Sequence, residues 1–121
     1  MPNAHYTADH LWLRLQGGIA TVGLTRFALG VLGPVSLLHL PPPGRRIQAG
    51  QTCGIIESMK AASDIHAPLS GAVTEVCAAG PDLLNRDPEG GGWLFRMVPD
   101  DPGAVRTLMD GAAYTALIGA M

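Results

Sequence analysis

Gly54-Ile55-Ile56-Glu57-Ser58-Met59-Lys60-Ala61-Ala62-Ser63-Asp64-Ile65 holds two strand-like runs separated by four residues that need neither glycine nor proline to turn. A type I turn tolerates those residues, so the stretch predicts a hairpin with Lys60 near its tip. An enzyme that acylates a lysine must reach the amine with its own backbone clear of the substrate fold. A hairpin tip satisfies that, and leaves a finished arm free to sweep between active sites at high effective concentration. A loop lysine can equally be just a solvated charge, and the hairpin alone divides the two readings evenly.

Working outward, the strands around this hairpin are short and separated by turns: Thr52 to Glu57, Ser63 to His66 and Ala72 to Val76. That spacing predicts a sandwich or flattened barrel. Residues 44–50 before the lysine have a weak counterpart in 68–73 after it, as if two similar halves flanked one hairpin. Upstream, Leu11, Leu13 and Leu15 alternate with Trp12 and Arg14, the period of a half-buried strand running from Tyr6. Gln16-Gly17-Gly18 turns it into a return strand from Ile19 to Leu24. Thr25 caps a short helix over Arg26 to Leu32 that Gly33 ends, and Val35 to Leu40 is an apolar strand closed by Pro41-Pro42-Pro43-Gly44. Ala78 to Leu84 reads as a loop, Asp87 to Gly92 as a tight turn, and Trp93 to Val98 as a strand. Asp101-Pro102 places a capping carboxylate before a proline and predicts a helix to about Met109. Asp110-Gly111 separates it from a second helix through Ile118.

At 121 residues the chain suits one domain. A formal net charge of −2 and only six aromatic residues (two each of Trp, Tyr and Phe) argue against nucleic acid as a partner. No apolar run is long enough to span a bilayer, and Met1-Pro2-Asn3-Ala4-His5 lacks the basic-then-apolar order of a secretion signal, so a cytoplasmic location is expected. Cys53 and Cys77 lie in apolar runs and read as buried free thiols, a disulfide between them remaining open. None of the four histidines has a neighbour at ligand spacing, so no metal is expected. Seven of the eight basic residues are arginine, and Lys60 is the one lysine. Arginine supplies positive charge equally well, but only an amine of the lysine type forms an amide with a carboxylic acid cofactor.

The segment from Glu57 to Gly71 resembles the lipoylation segment of glycine cleavage system H proteins. Three other stretches resemble the same family in the same order: His10-x-Trp12; Val22-Gly23-Leu24-Thr25 with Leu32-Gly33; and Asn85-x-Asp87-Pro88-x-Gly90-x-Gly92-Trp93. The resemblance implies a mostly β lipoyl/biotinyl domain of hammerhead type, with its core over about 10–98 and a C-terminal helical segment over about 101–119. It implies lipoic acid in amide linkage on Lys60, with Glu57, Ser58 and Asp64 helping other proteins recognise the hairpin. The carrier itself catalyses nothing. The family implies that it takes an aminomethyl group and electrons from glycine decarboxylase, passes the one-carbon unit to an aminomethyltransferase, and is reoxidised by dihydrolipoyl dehydrogenase. A lipoate ligase or lipoyltransferase would load it, and a monomer is expected.

Several positions depart from the family pattern: Pro34, His39, His66, Cys77 and Glu89, with 78–84 a few residues short. They leave the hairpin intact but alter the surface around it, which keeps open a lipoate-binding role beside a heterodisulfide-reductase-like complex of sulfur oxidation. Ser58-Met59-Lys60 also resembles half of the methionine-lysine-methionine core of biotinyl domains, and an unmodified scaffold is the plainest alternative. No nucleophile stands at recognisable spacing from a base, so an enzyme is not expected.

Overall fold

The computed structural model describes residues 4–121, in which nine short strands and a few helical turns form two packed sheets. Leu11–Gln16 (β2) and Ile19–Leu24 (β3) make the expected hairpin around Gly17-Gly18, and Ala4–Tyr6 (β1) adds on antiparallel to β2. Thr25 is the N-cap of Arg26–Leu32 (α1), its hydroxyl accepting from the Ala28 N–H at 3.2 Å, and Gly33 ends the helix. Val35–His39 (β4), Thr52–Ser58 (β6) and Ala62–His66 (β7) form the smaller sheet in the order β4-β6-β7. The larger sheet is completed by Arg46–Ile47 (β5), Gly71–Val76 (β8) and Phe95–Pro99 (β9), in the order β1-β2-β3-β9-β8-β5. The chain is therefore mostly β, a flattened sandwich with short helices, as expected.

The weak likeness between 44–50 and 68–73 has a physical counterpart, since Arg46 pairs with Ala72 and Ile47 with Gly71, while Gly50 N–H donates to Ala67 O at 2.8 Å. The two stretches are neighbouring strands at the foot of the lysine hairpin. Between the sheets, Leu13, Val22, Phe95 and Met97 of one meet Val35, Ile56 and Ile65 of the other. Full burial of each such side chain contributes about 1.5–3 kcal/mol.

Four expectations need correction. Trp12 does not face solvent opposite Leu11 and Leu13: all three are buried, because Trp12 enters a second, smaller core with Ala4, Tyr6 and Tyr114 on the other face of the sheet. The stretch read as a loop holds most of a helix, Gly80–Arg86 (α2), whose first turn contains a proline and lacks a side-chain cap. Asp101 does act as a cap, but the element it caps, Pro102–Thr107, is a 3-10 helix shorter than the helix expected. Cys77 is half-buried, its sulfur 3.7 Å from Gly91 O, whereas Cys53 is buried and burial pushes its thiol pKa up; both are free. Gly111–Gly119 (α3) comes after an Asp110 cap as the sequence suggests.

Candidate attachment hairpin

The base of the β6–β7 hairpin is clamped by Ile56 and Ile65, which point into the main core. Its last paired residues are Glu57 and Ala62. Beyond them Ser58 N–H donates to Ala61 O at 2.8 Å and closes the turn. The Ser58 hydroxyl does the rest locally. It accepts from the N–H groups of Lys60 and Ala61, each at 3.2 Å, and donates to Ala61 O at 3.3 Å. The serine thereby satisfies amides that would otherwise point at water, in a turn whose residues all have negative φ and so need no glycine.

Lys60 lies on the exposed tip, and among the described residues its amine pairs with no carboxylate. Its stem runs past the end of α1: a Cβ built on Gly33 would stand 3.0 Å from Lys60 Cε and 3.5 Å from Nζ. Met59 beside it is 88% exposed. Glu57 and Asp64 lie on the outward face of the hairpin, Glu57 opposite Ala62 and Asp64 opposite Ile55. Such a diagonal pair sits about 7–8 Å apart on a sheet, so the two carboxylates form one acidic stripe below the lysine. The neighbouring strand extends this face with Leu37 opposite Glu57 and His39 opposite Ile55. Leu37 is 46% and Ile55 37% exposed, and His39 Nε2 lies 3.7 Å from Glu57 Oε2. His66 Nδ1, on the same hairpin, lies 3.3 Å from Asp9 Oδ2. The structure thus brings Glu57, Ser58, Lys60 and Asp64 onto one hairpin, with Ser58 spent on the shape of the turn.

Sequence reasoning assigned no role to the residues that hold α1 and β4 against this hairpin. Asn85, at the end of α2, clamps β4 by accepting from Val35 N–H at 2.8 Å and donating to Val35 O at 2.9 Å. The Tyr114 hydroxyl, from α3, lies 2.8 Å from Thr25 Oγ1 and 2.9 Å from His10 Nδ1, tying the cap of α1 to the C-terminal helix. Glu89 accepts from Arg26 N–H at 2.8 Å, and Trp12 Nε1 donates to Pro88 O at 2.9 Å. Trp12 packs so closely on its cross-strand partner Gly23 that any Cβ there would overlap the indole. Asparagine and tyrosine carry no local pattern that announces such long-range partners. For Asn85 the only signal was its place in one of the family-like stretches.

Residues 4–120, the hairpin and its supports together, match the family model described as Glycine cleavage H-protein. The chain belongs to this family. It is 43% identical over 122 residues to the glycine cleavage system H protein of Dinoroseobacter shibae, covering 98% of this chain and 100% of that one. The corresponding protein of Acidiphilium cryptum is 42% identical over 124 residues, with all of both chains covered. The crystal structure of a glycine cleavage system H protein from Mycobacterium marinum superposes with a TM-score of 0.89 at 36% identity, covering 98% of this chain and 99% of that one. A glycine cleavage H-protein is a carrier subunit, and the site has the matching character of an exposed amine at a hairpin tip.

Proposed function

We propose that this H-protein family member is the lipoyl carrier of glycine cleavage and that Lys60 holds lipoic acid in amide linkage. The observation that carries the reading is that the one lysine of the chain stands exposed at the tip of a hairpin whose turn is fixed by Ser58. The residues suit the group, since an acyl donor meets a free primary amine projecting from a tip with its base locked in the core. When attached, lipoic acid supplies a disulfide that opens to a dithiol and so carries both a one-carbon fragment and electrons.

The chain's own residues bind and present. Ser58 holds the tip, and the stripe of Glu57 and Asp64, with Leu37, Ile55 and Met59 beside it, offers loading enzymes and partners an acidic surface with apolar contact area. The partners on this reading are glycine decarboxylase, an aminomethyltransferase, dihydrolipoyl dehydrogenase and a lipoate ligase or lipoyltransferase. No helix among the described residues is long and apolar enough to cross a membrane, and the proposed place of work is the cytoplasm. The proposed organisation is one carrier domain over 1–121, working as a monomer. The relatives from Dinoroseobacter, Acidiphilium and Mycobacterium carry glycine cleavage names, and nothing in them favours the sulfur-oxidation alternative.

Intact-mass measurement on protein from its native host, with the adduct localised by peptide mapping, tests the reading. The expected result is a lipoyl adduct on Lys60 that disappears completely in Lys60→Arg, while the unfolding free energy of that variant stays within about 0.5 kcal/mol of the parent. An unmodified lysine, or a streptavidin-reactive one, overturns it.

A further inference from the structure

The contact between Lys60 and Gly33 joins two parts of the chain that no motif links. Gly33 has φ 79° and ψ 179°, a conformation essentially reserved for glycine. It stands directly after the last turn of α1, which carries no basic residue of its own. The last carbonyls of a helix lack partners within it, and a cation beside them is favoured. The missing side chain leaves a notch, and the Lys60 stem lies in it, with Cε 3.0 Å and Nζ 3.5 Å from where a Cβ would be.

We propose that Gly33 is a positioning residue for the attachment lysine: its notch draws the stem of unmodified Lys60 along the end of α1, and acylation, by removing the ammonium charge, releases the stem. Two effects hold the side chain there, apolar contact of its methylenes with the notch and attraction of its charge to the carbonyl end of the helix. An amide keeps the first and lacks the second. The unmodified amine would then be presented in a restricted direction to the loading enzyme, whereas the loaded arm starts its excursions unanchored. The proposal rests on Lys60 being the attachment point, but its test uses a chemical acyl donor and so fails or succeeds separately from lipoylation.

The test uses the full chain and sulfosuccinimidyl acetate. The Lys60 amine attacks the ester carbonyl, an amide forms, and N-hydroxysulfosuccinimide and a proton leave. Because Lys60 is the one lysine, a single side-chain amine signal is followed by mass spectrometry and by NMR. The expected result is a nuclear Overhauser contact between the Lys60 ε-methylene and the Gly33 α-protons that disappears on acetylation. Gly33→Ala should raise the acetylation rate roughly two- to fivefold, the size of a helix-terminus interaction. Since that variant also strains the backbone, Gly30→Ala serves as a second one: a Cβ there, in the same helix, meets nothing within 4 Å, and the rate should stay at the parent value. The proposal is overturned if the contact is absent in the unmodified parent, if it survives acetylation unchanged, or if Gly30→Ala accelerates the reaction as much as Gly33→Ala.

Discussion

The tip that carries Lys60 and the aromatic cluster around Tyr114 solve opposite problems with similar chemistry. At the tip Met59 and Lys60 are exposed, and order comes from one serine hydroxyl and a single backbone closure within four residues of chain. In the cluster Trp12 is wholly buried, Tyr6 stacks on Tyr114 with ring centres 4.5 Å apart, and the Tyr114 hydroxyl reaches His10 and Thr25, 104 and 89 residues away in sequence. The tip is held by contacts confined to its own turn, which suits the attachment site proposed for Lys60. The cluster is non-local, and through the cap of α1 it sets the helix whose far end meets the lysine. Stability and presentation are therefore divided between regions joined by α1.

The sharpest way to break this division is Trp12→Ala. Removing a fully buried indole costs about 3–5 kcal/mol, to be read in equilibrium denaturation, and it takes with it the hydrogen bond to Pro88 O. A loss below about 1 kcal/mol would mean that the second cluster is ornamental and that α1 is held from the main core alone.

The same contrast explains what could be read from the sequence. The hairpin, α1 with its Thr25 cap, and the β2–β3 turn were legible because period-2 alternation, a capping hydroxyl and a glycine pair act over a few residues. Trp12 was misread because alternation assumes one wet face, and here α3 covers the second. Helix α2 was illegible for a different reason: Gly80-Pro81 at its start resembles a turn, its N-cap Ala79 offers no side-chain oxygen, and of its residues only Leu84 is buried. Its worth lies in where it sets Asn85, which no local pattern encodes. Lys60 stood out by chemistry rather than pattern, as the one amine in a chain that otherwise uses arginine.

A smaller effect is expected from Tyr114→Phe, which keeps the stacked ring and removes only the hydroxyl. Thr25 and His10 then each lose a partner, for a cost of about 1–3 kcal/mol. The same variant sharpens the alkaline limb of stability. Burial raises the phenol pKa of Tyr114 above its ordinary 10.0, the Thr25 hydrogen bond opposing this in part, and burial raises Tyr6 likewise. A raised folded-state value means the folded form holds its proton longer. The contribution is therefore fully present below about pH 10 and is lost as pH rises through the folded-state value. Urea midpoints measured from about pH 8 to 11 should fall at the upper end in the parent and fall less in Tyr114→Phe; parallel curves would remove Tyr114 as a cause.

The smallest change in global stability, and the one most specific to the tip, is expected from Ser58→Ala. The hydroxyl serves two amides on an exposed turn, where water can replace it, so unfolding should move by no more than about 0.5–1 kcal/mol. Its effect should appear instead as local opening, with amide exchange at Lys60 and Ala61 faster on the order of fivefold and exchange at Ile56 and Ile65 unchanged, because those residues are fixed by the core. Ser58→Thr, which keeps the oxygen, should restore most of the protection. If Ser58→Ala instead accelerated exchange throughout β6 and β7, the turn would be part of what stabilises the smaller sheet, and the tip could no longer be treated as a passenger on a frame set elsewhere.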